Sequence, residues 1–428
     1  MTSRPAILRG TPIRDGKSWP SWPAWDEAER DALARVVDSG AKSSEVEIFQ
    51  SEFAEHQDAA YGLALTNGTH TLEAALVACG VGEGDEVVVP ALTFVATATA
   101  VLAVGAVPVI VDIDPETLCV DPAAVEVALG SRTAAVIAVH LAGTSCDLDA
   151  LTALCGDRGI HLIEDCAHAH GTRWRDRGVG SYGSFGSFSF QASKLMTAGE
   201  GGALITSDDE LLARAWSYAN CGRRIDGRWY EHHTFGTNFR MTELQAAVLR
   251  AQLRRLPQQQ RVREVAGEAL DRALEEIDGV TPQRGDERVT SRARFSYPVR
   301  YDPAEFCGLS LEGFEAALAH EGVLIGYALP SLTELDLFRR RDSGPSFRTD
   351  ELPVTKRTVA TTLWIDQRVL LAGAEEALDV ARSISRIKRQ ARAVALRTSK
   401  PVKLGGRLLS SARRARSRWH QAVLQPHS

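Results

Sequence analysis

The sequence predicts an α/β fold: a mostly parallel central sheet flanked by helices, followed by a smaller C-terminal α+β domain. Three observations predict it. Between about residues 60 and 210, short apolar runs alternate with stretches of helical character. The runs are apolar throughout rather than at every second residue, which is how strands covered on both faces read. From about residue 285 the register changes to strand, helix, strand and a long final helix, so the parallel pattern ends there.

The elements follow in order. "WDEAERDALARVVDSG" (25–40) reads as a helix stopped by Gly40. In "LTNGTHTLEAALVACG" (65–80), Leu72, Leu76 and Cys79 share one helical face, so a helix starts near Thr69. "DEVVVPA" is a strand, "FVATATAVLAVG" helix-compatible, and "AVPVIVDID" the next strand. "DPAAVEVAL" is helical, "AAVIAVH" a strand, "CDLDALTALCGDRG" a helix, and "IHLIEDCA" a strand again. Residues 238–279 read as long helix interrupted near Pro257, because proline removes a helical hydrogen bond. Beyond 285, "RFSYPVRYD" and "VLIGYAL" read as strands, "SLEGFEAALAHEG" and "GAEEALDVARSISRIKRQAR" as helices. The division predicted is an N-terminal arm (1–24), a large domain (25–284), a small domain (285–392) and a basic tail (393–428).

Composition bounds the function. With 428 residues, 44% hydrophobic and 24% charged, the chain has the make-up of a large soluble protein. No apolar run reaches membrane-spanning length and "MTSRPAILRG" lacks an apolar leader core, so a cytoplasmic location is expected. Seven cysteines without a CxxC pair or zinc spacing read as free thiols, and no metal site is expected. Thirteen Lys and Arg follow Asp379 with no acidic residue among them; the whole chain carries −6, so residues 1–379 carry −19. An acidic body argues against nucleic-acid binding. The stretch "KLGGRLLSSARRARSRWHQAVL" (403–424) can be read as a docking helix for an acidic partner or a membrane surface. A solvated extension is the favoured reading, since charge runs near termini are usually mobile.

Ligands of parallel sheets bind at the carboxyl ends of the strands, which directs attention to Pro90–Phe94, His140–Gly143 and Glu164–His168. Gly68 and Thr69 stand at a helix N-terminus, where free N–H groups and the helix dipole suit a phosphate; the plain alternative is a cap. Asp165 ends an apolar strand, as either a turn cap or a carboxylate for a protonated ring nitrogen. Lys194, in "SFSFQASKLMTAGEGGALI", follows another apolar strand among small residues; it is either a surface residue or a desolvated, nucleophilic amine. Together the three are the anchors of pyridoxal phosphate. Phe94, after "PALT", could stack on the ring, and Ser189 could reach the phosphate.

The stretches "NGTHTLEAAL", "VHLAGTSCDLDAL", "IEDCAHAHGTRW", "SFGSFSFQASKLMTAGEGGALIT" and "GTNFRMTELQAAVLRAQL" carry a resemblance over residues 5–390. The chain resembles the DegT/DnrJ/EryC1/StrS sugar aminotransferases, which have the aspartate-aminotransferase (type I) fold. The resemblance implies an aminotransferase with pyridoxal 5′-phosphate joined as a Schiff base to Lys194 and passing through a pyridoxamine form. It implies Asp165 as partner of the pyridinium nitrogen, and Gly68, Thr69 and Ser189 as phosphate contacts. Phe94 matches the stacking aromatic and His168 a position near the phenolic oxygen. Asn238 matches an asparagine that reaches the phosphate of a neighbouring subunit, implying a homodimer with shared sites.

"QASKLM" looks most like the branch acting on keto-cyclitols, the glutamine-dependent scyllo-inosose and 2-deoxy-scyllo-inosose aminotransferases, and is also similar to 3-amino-5-hydroxybenzoate synthase. A nucleotide-linked ketosugar is a further alternative. "WIDQRVLLAG" departs: the branch often carries histidine where Asp366 and Gln367 stand, which bears on the ketone or donor accepted. Family dehydratases replace the lysine by histidine, so Lys194 argues against one. A binding protein that merely keeps the fold is disfavoured by the complete set of cofactor residues.

Overall fold

The computed structural model describes residues 4–40, 43–339 and 346–399. The main sheet has eight strands: β1 (Tyr61–Leu65), β2 (Glu86–Pro90), β3 (Val107–Val111), β4 (Thr133–Val139), β5 (His161–Asp165), β6 (Phe185–Ser189), β7 (Gly202–Thr206) and β10 (Arg348–Thr349). A second sheet holds β8 (Val280–Pro282), β9 (Ser296–Tyr301) and β11 (Thr362–Asp366).

The strand order in the main sheet is β1-β7-β6-β5-β4-β2-β3-β10. Every pair from β6 to β10 is parallel, and β7 runs antiparallel to both its neighbours, so the expected mostly parallel sheet is observed. Adjacent residues of one strand enter opposite cores: Val88 and Val136 pack with Phe53, Phe188 and Trp174, while Val87, Val89, Ile137 and Ile163 pack with Leu65, Leu72 and Phe185. Each buried Phe or Val contributes roughly 1.5–3 kcal/mol, which is why the strands are apolar throughout.

Helix starts follow their capping residues. Asp26 forms a capping box with Glu29 ahead of Glu27–Asp38, and Gly40 follows it at φ +66°. Asn67 caps Gly68–Ala78, one residue earlier than expected.

Two expectations fail. The long helix is continuous from Glu243 to Glu275, with Pro257 inside it. Its first half anchors Ala246, Leu249, Leu253 and Leu256 in the main core, and its second half Ala266, Leu270 and Leu274 in the core of the second sheet. Burial on both sides of the proline outweighs the one lost hydrogen bond. "VLIGYAL" is not a strand: it makes an isolated bridge, Ile325 to Ile365, beside β11. Gly326 then leads into an irregular segment ending at Pro330, which cannot donate to a ladder.

The helix Ala374–Arg389 packs against the long helix, and a further helix, Ala391–Thr398, extends into the range expected as tail. Residues 400–428, including the proposed docking stretch, lie outside the described residues. Among the described residues no helix is long and apolar enough to cross a membrane, and all seven cysteines are free.

Candidate active site

The carboxyl ends of β2, β4, β5 and β6 lie along one edge of the sheet. Asp165 closes β5 and is only 7% exposed. The Thr97 hydroxyl donates to its Oδ2 at 3.0 Å and the Ala167 N–H to its Oδ1 at 3.1 Å. Burial pushes the carboxyl above its usual range, against these hydrogen bonds and the charges of Lys194 and His140. A carboxylate so placed gains most from a cationic partner.

Lys194 lies in the turn after β6, its N–H bonded to the Gln191 carbonyl at 2.8 Å. The loop beyond it is tied down. The Thr197 hydroxyl and the Ala198 N–H both donate to the Phe190 carbonyl, and Gln245 donates to the Glu200 carbonyl. Burial lowers the Lys194 amine to about 8, while Asp165 and Glu200 pull the other way. The amine is therefore far nearer to neutral at working pH than a solvated lysine near ~10.4.

His168 sits beside it. The Ala142 N–H points at its Nδ1 at 3.4 Å, which assigns the proton to Nε2 and makes that atom a donor. Burial first, then Lys194 and His170, hold His168 well below the usual imidazole range, so it stays neutral. His170 bonds the Ser189 carbonyl at 2.9 Å, and burial and Lys194 lower it to about 3.

At the start of Gly68–Ala78, the Asn67 side chain and carbonyl take the N–H groups of His70 and Thr71. Those of Gly68 and Thr69 are first-turn donors without an intrahelical acceptor. A Cβ on Gly68 would lie 2.6 Å from the Ser189 Cβ. Only glycine lets the helix end approach Ser189 this closely, forming a small cradle of N–H and hydroxyl groups. The donor set suits a phosphate; with Asp165, Lys194 and the His168 donor, the residues fit pyridoxal phosphate.

The structure thus brings Lys194, Asp165 and His168 into one electrostatic group, and Gly68, Thr69 and Ser189 into one cradle. Phe94 follows β2 on the segment that carries Thr97 but is 57% exposed. Asn238 is also exposed, its Oδ1 facing the Arg240 N–H at 3.4 Å, and is not joined to the others within this chain.

Thr97 and Phe295 were not singled out from the sequence, and His140 was marked only as part of a strand end, with no role given. His140 donates from Nε2 to Glu164, whose carboxylate also accepts from Gly180, Tyr182 and Gly183; its position after β4 was the available signal. Phe295 stacks on His168, with ring centroids 4.1 Å apart at 15°. Nothing local in the sequence ties it to residues so far away.

Fold and site together define the class: an aminotransferase of the type I, pyridoxal phosphate-dependent fold. The chain belongs to the DegT/DnrJ/EryC1/StrS aminotransferase family, matched over residues 23–385. It is 40% identical to the 3-amino-5-hydroxybenzoate synthase of Amycolatopsis mediterranei (strain S699), over 85% of this chain and 95% of that protein. It is 37% identical to the L-glutamine:2-deoxy-scyllo-inosose aminotransferase of Micromonospora echinospora, over 89% and 97%. The crystal structure of a 3-amino-5-hydroxybenzoic acid synthase superposes with a TM-score of 0.80, covering 88% of this chain and 99% of that one, at 40% identity.

Proposed function

We propose that the chain carries pyridoxal 5′-phosphate on Lys194 and moves an amino group from an amino acid, L-glutamine, to a keto-cyclitol in aminocyclitol or related natural-product synthesis. The observation that carries the reading is the buried Asp165 carboxylate coupled to the low-pKa amine of Lys194, at the strand edge that also holds the Gly68–Ser189 cradle. The names of relatives support glutamine as donor and a ring ketone as acceptor.

When bound, the cofactor supplies an electron sink for a carbanion at the substrate's Cα. Asp165 keeps the ring nitrogen protonated. Gly68, Thr69 and Ser189 would hold its phosphate, His168 would donate to its phenolic oxygen, and Phe94 would cover its ring. Lys194 would be the residue joined to the cofactor, and its amine, when free, would serve as the base and acid that moves the substrate's Cα proton.

The exposure of Asn238, Phe94, Trp229, Tyr230 and Phe235 supports a homodimer, in which Asn238 reaches the phosphate held by a second copy. Seven free cysteines agree with a cytoplasmic location. A second reading, a 3-amino-5-hydroxybenzoate synthase-like reaction, is favoured by the 40% identity to that enzyme.

A half-reaction assay tests the proposal. L-Glutamine should bleach the yellow protein, and scyllo-inosose or 2-deoxy-scyllo-inosose should restore the colour. Restoration only by an aminohydroxybenzoate precursor selects the second reading. No bleaching by any amino acid overturns amino transfer.

A further inference from the structure

Phe295 immediately precedes β9 of the second sheet, yet its ring packs against the main core at the edge of the first. The Lys194 Nζ lies 4.8 Å from its centroid, and the His168 ring stacks on it. That is within the range of a cation–π contact.

The backbone spends several devices on this placement. Gly143, just beyond β4, has φ +90°, and a Cβ there would meet the Arg294 nitrogen at 2.5 Å and the Phe295 nitrogen at 2.9 Å. Only glycine allows the crossing. The Thr172 hydroxyl donates to the Gly143 carbonyl at 2.8 Å and lies 3.1 Å from the Ala293 N–H, fastening the two segments. Arg294 adopts φ +52°, a left-handed conformation that costs a non-glycine residue energy, while its guanidinium pairs with Asp271 at 2.7 Å. The strained residue directly precedes the ring it aims.

We propose that Phe295 is a positioning residue for Lys194: its ring seats the lysine's ammonium whenever the amine is free, with His168 bracing the ring. This rests on the proposed role of Lys194. The seat matters because the released amine must wait close to the reacting carbon without wandering into solvent. Charged and titratable groups around Lys194 are Asp165 at the end of β5, Glu200 in the following loop, and His168 and His170 after β5. The two carboxylates already favour the ammonium and the two histidines are held neutral, so the ring is an added, separable contribution.

A ring face stabilises the charged form, so removing it must lower the pH at which Lys194 loses its proton. The test uses the full chain loaded with pyridoxamine 5′-phosphate, in which the lysine amine is free. Acylation of Lys194 by acetic anhydride is followed against pH by mass spectrometry, with exposed Lys356 as internal reference. Phe295→Leu should lower the Lys194 midpoint by about half to one pH unit, and Phe295→Tyr should leave it in place. A 3,4,5-trifluorophenylalanine at position 295 keeps shape and packing but withdraws charge from the ring face; it should shift the midpoint in the same direction as leucine. An unchanged or raised midpoint in the fluorinated protein overturns the proposal. Failure of the Lys194 assignment would appear separately, as turnover surviving in Lys194→Ala.

Discussion

At the scale of single residues, Asp165 carries the most testable chemistry. Its two oxygens are each held by one donor, Thr97 and Ala167, so the carboxylate has lone pairs left for a third. Asp165→Asn keeps the volume but replaces a charge by a dipole. With a charged hydrogen bond of ~1.5–3 kcal/mol lost, amino-donor turnover should fall by about 10- to 100-fold or more, while cofactor binding, which the proposed function assigns to Lys194 and the Gly68–Ser189 cradle, should persist. Stopped-flow measurement of the glutamine half-reaction against equilibrium cofactor binding separates the two. The placement of Lys194 and Asp165 at the sheet's carboxyl edge was legible in the sequence because one follows an apolar strand and the other ends one. Thr97 and Phe295 were not: one is a threonine in a short helix, the other arrives from the second sheet through a backbone crossing at Gly143.

At the scale of elements, the parallel strands were legible because burial on both faces leaves them apolar without interruption. The long helix was misread at Pro257. A proline rule is local, whereas this helix is fixed by two cores at its two ends. Pro257 is exposed, so Pro257→Ala should restore a hydrogen bond to the Leu253 carbonyl without creating a cavity. The gain should be about 1–3 kcal/mol, read as a higher urea midpoint, and an unchanged midpoint would mean the helix already relaxes around the proline. "VLIGYAL" departs from its expected strand for a different reason. Its apolar residues pack beside β11 through one bridge, and periodicity cannot tell a strand from an extended wall segment.

At the scale of the whole molecule, the N-terminal arm is clasped to the C-terminal helices by buried charge. Glu321 accepts from the Ala6 and Ile13 N–H groups and from Arg386, at 2.9, 3.0 and 2.8 Å. Arg14 and Lys17 both bond Asp379, at 2.9 and 3.1 Å. No sequence pattern announces these pairs: Arg386 lies 65 residues from Glu321, and the partners in the arm lie more than 300 residues from theirs. Glu321→Ala removes one carboxylate from three donors and should cost about 3–5 kcal/mol, lowering the urea midpoint. At Asp379, burial would push the carboxyl up, but Arg382, Lys17 and Arg14 outweigh it and hold it below its usual value. Its contribution is therefore present above the ordinary carboxylate range and is lost as the pH falls through the lowered value. Acid titration of the urea midpoint should show that loss in the parent and a smaller one in Asp379→Asn.

The edge strand β10 has a consequence for how the protein is made. β3 is synthesised well before Arg348–Thr349, the short strand that pairs with Val109 and Ile110 on its outer edge. Until then the nascent sheet offers the ribosome's surroundings an open row of backbone donors and acceptors beside a valine-rich strand. Chains terminated before Arg348 would keep the edge bare, and they should aggregate or recruit chaperones more than chains that include β10.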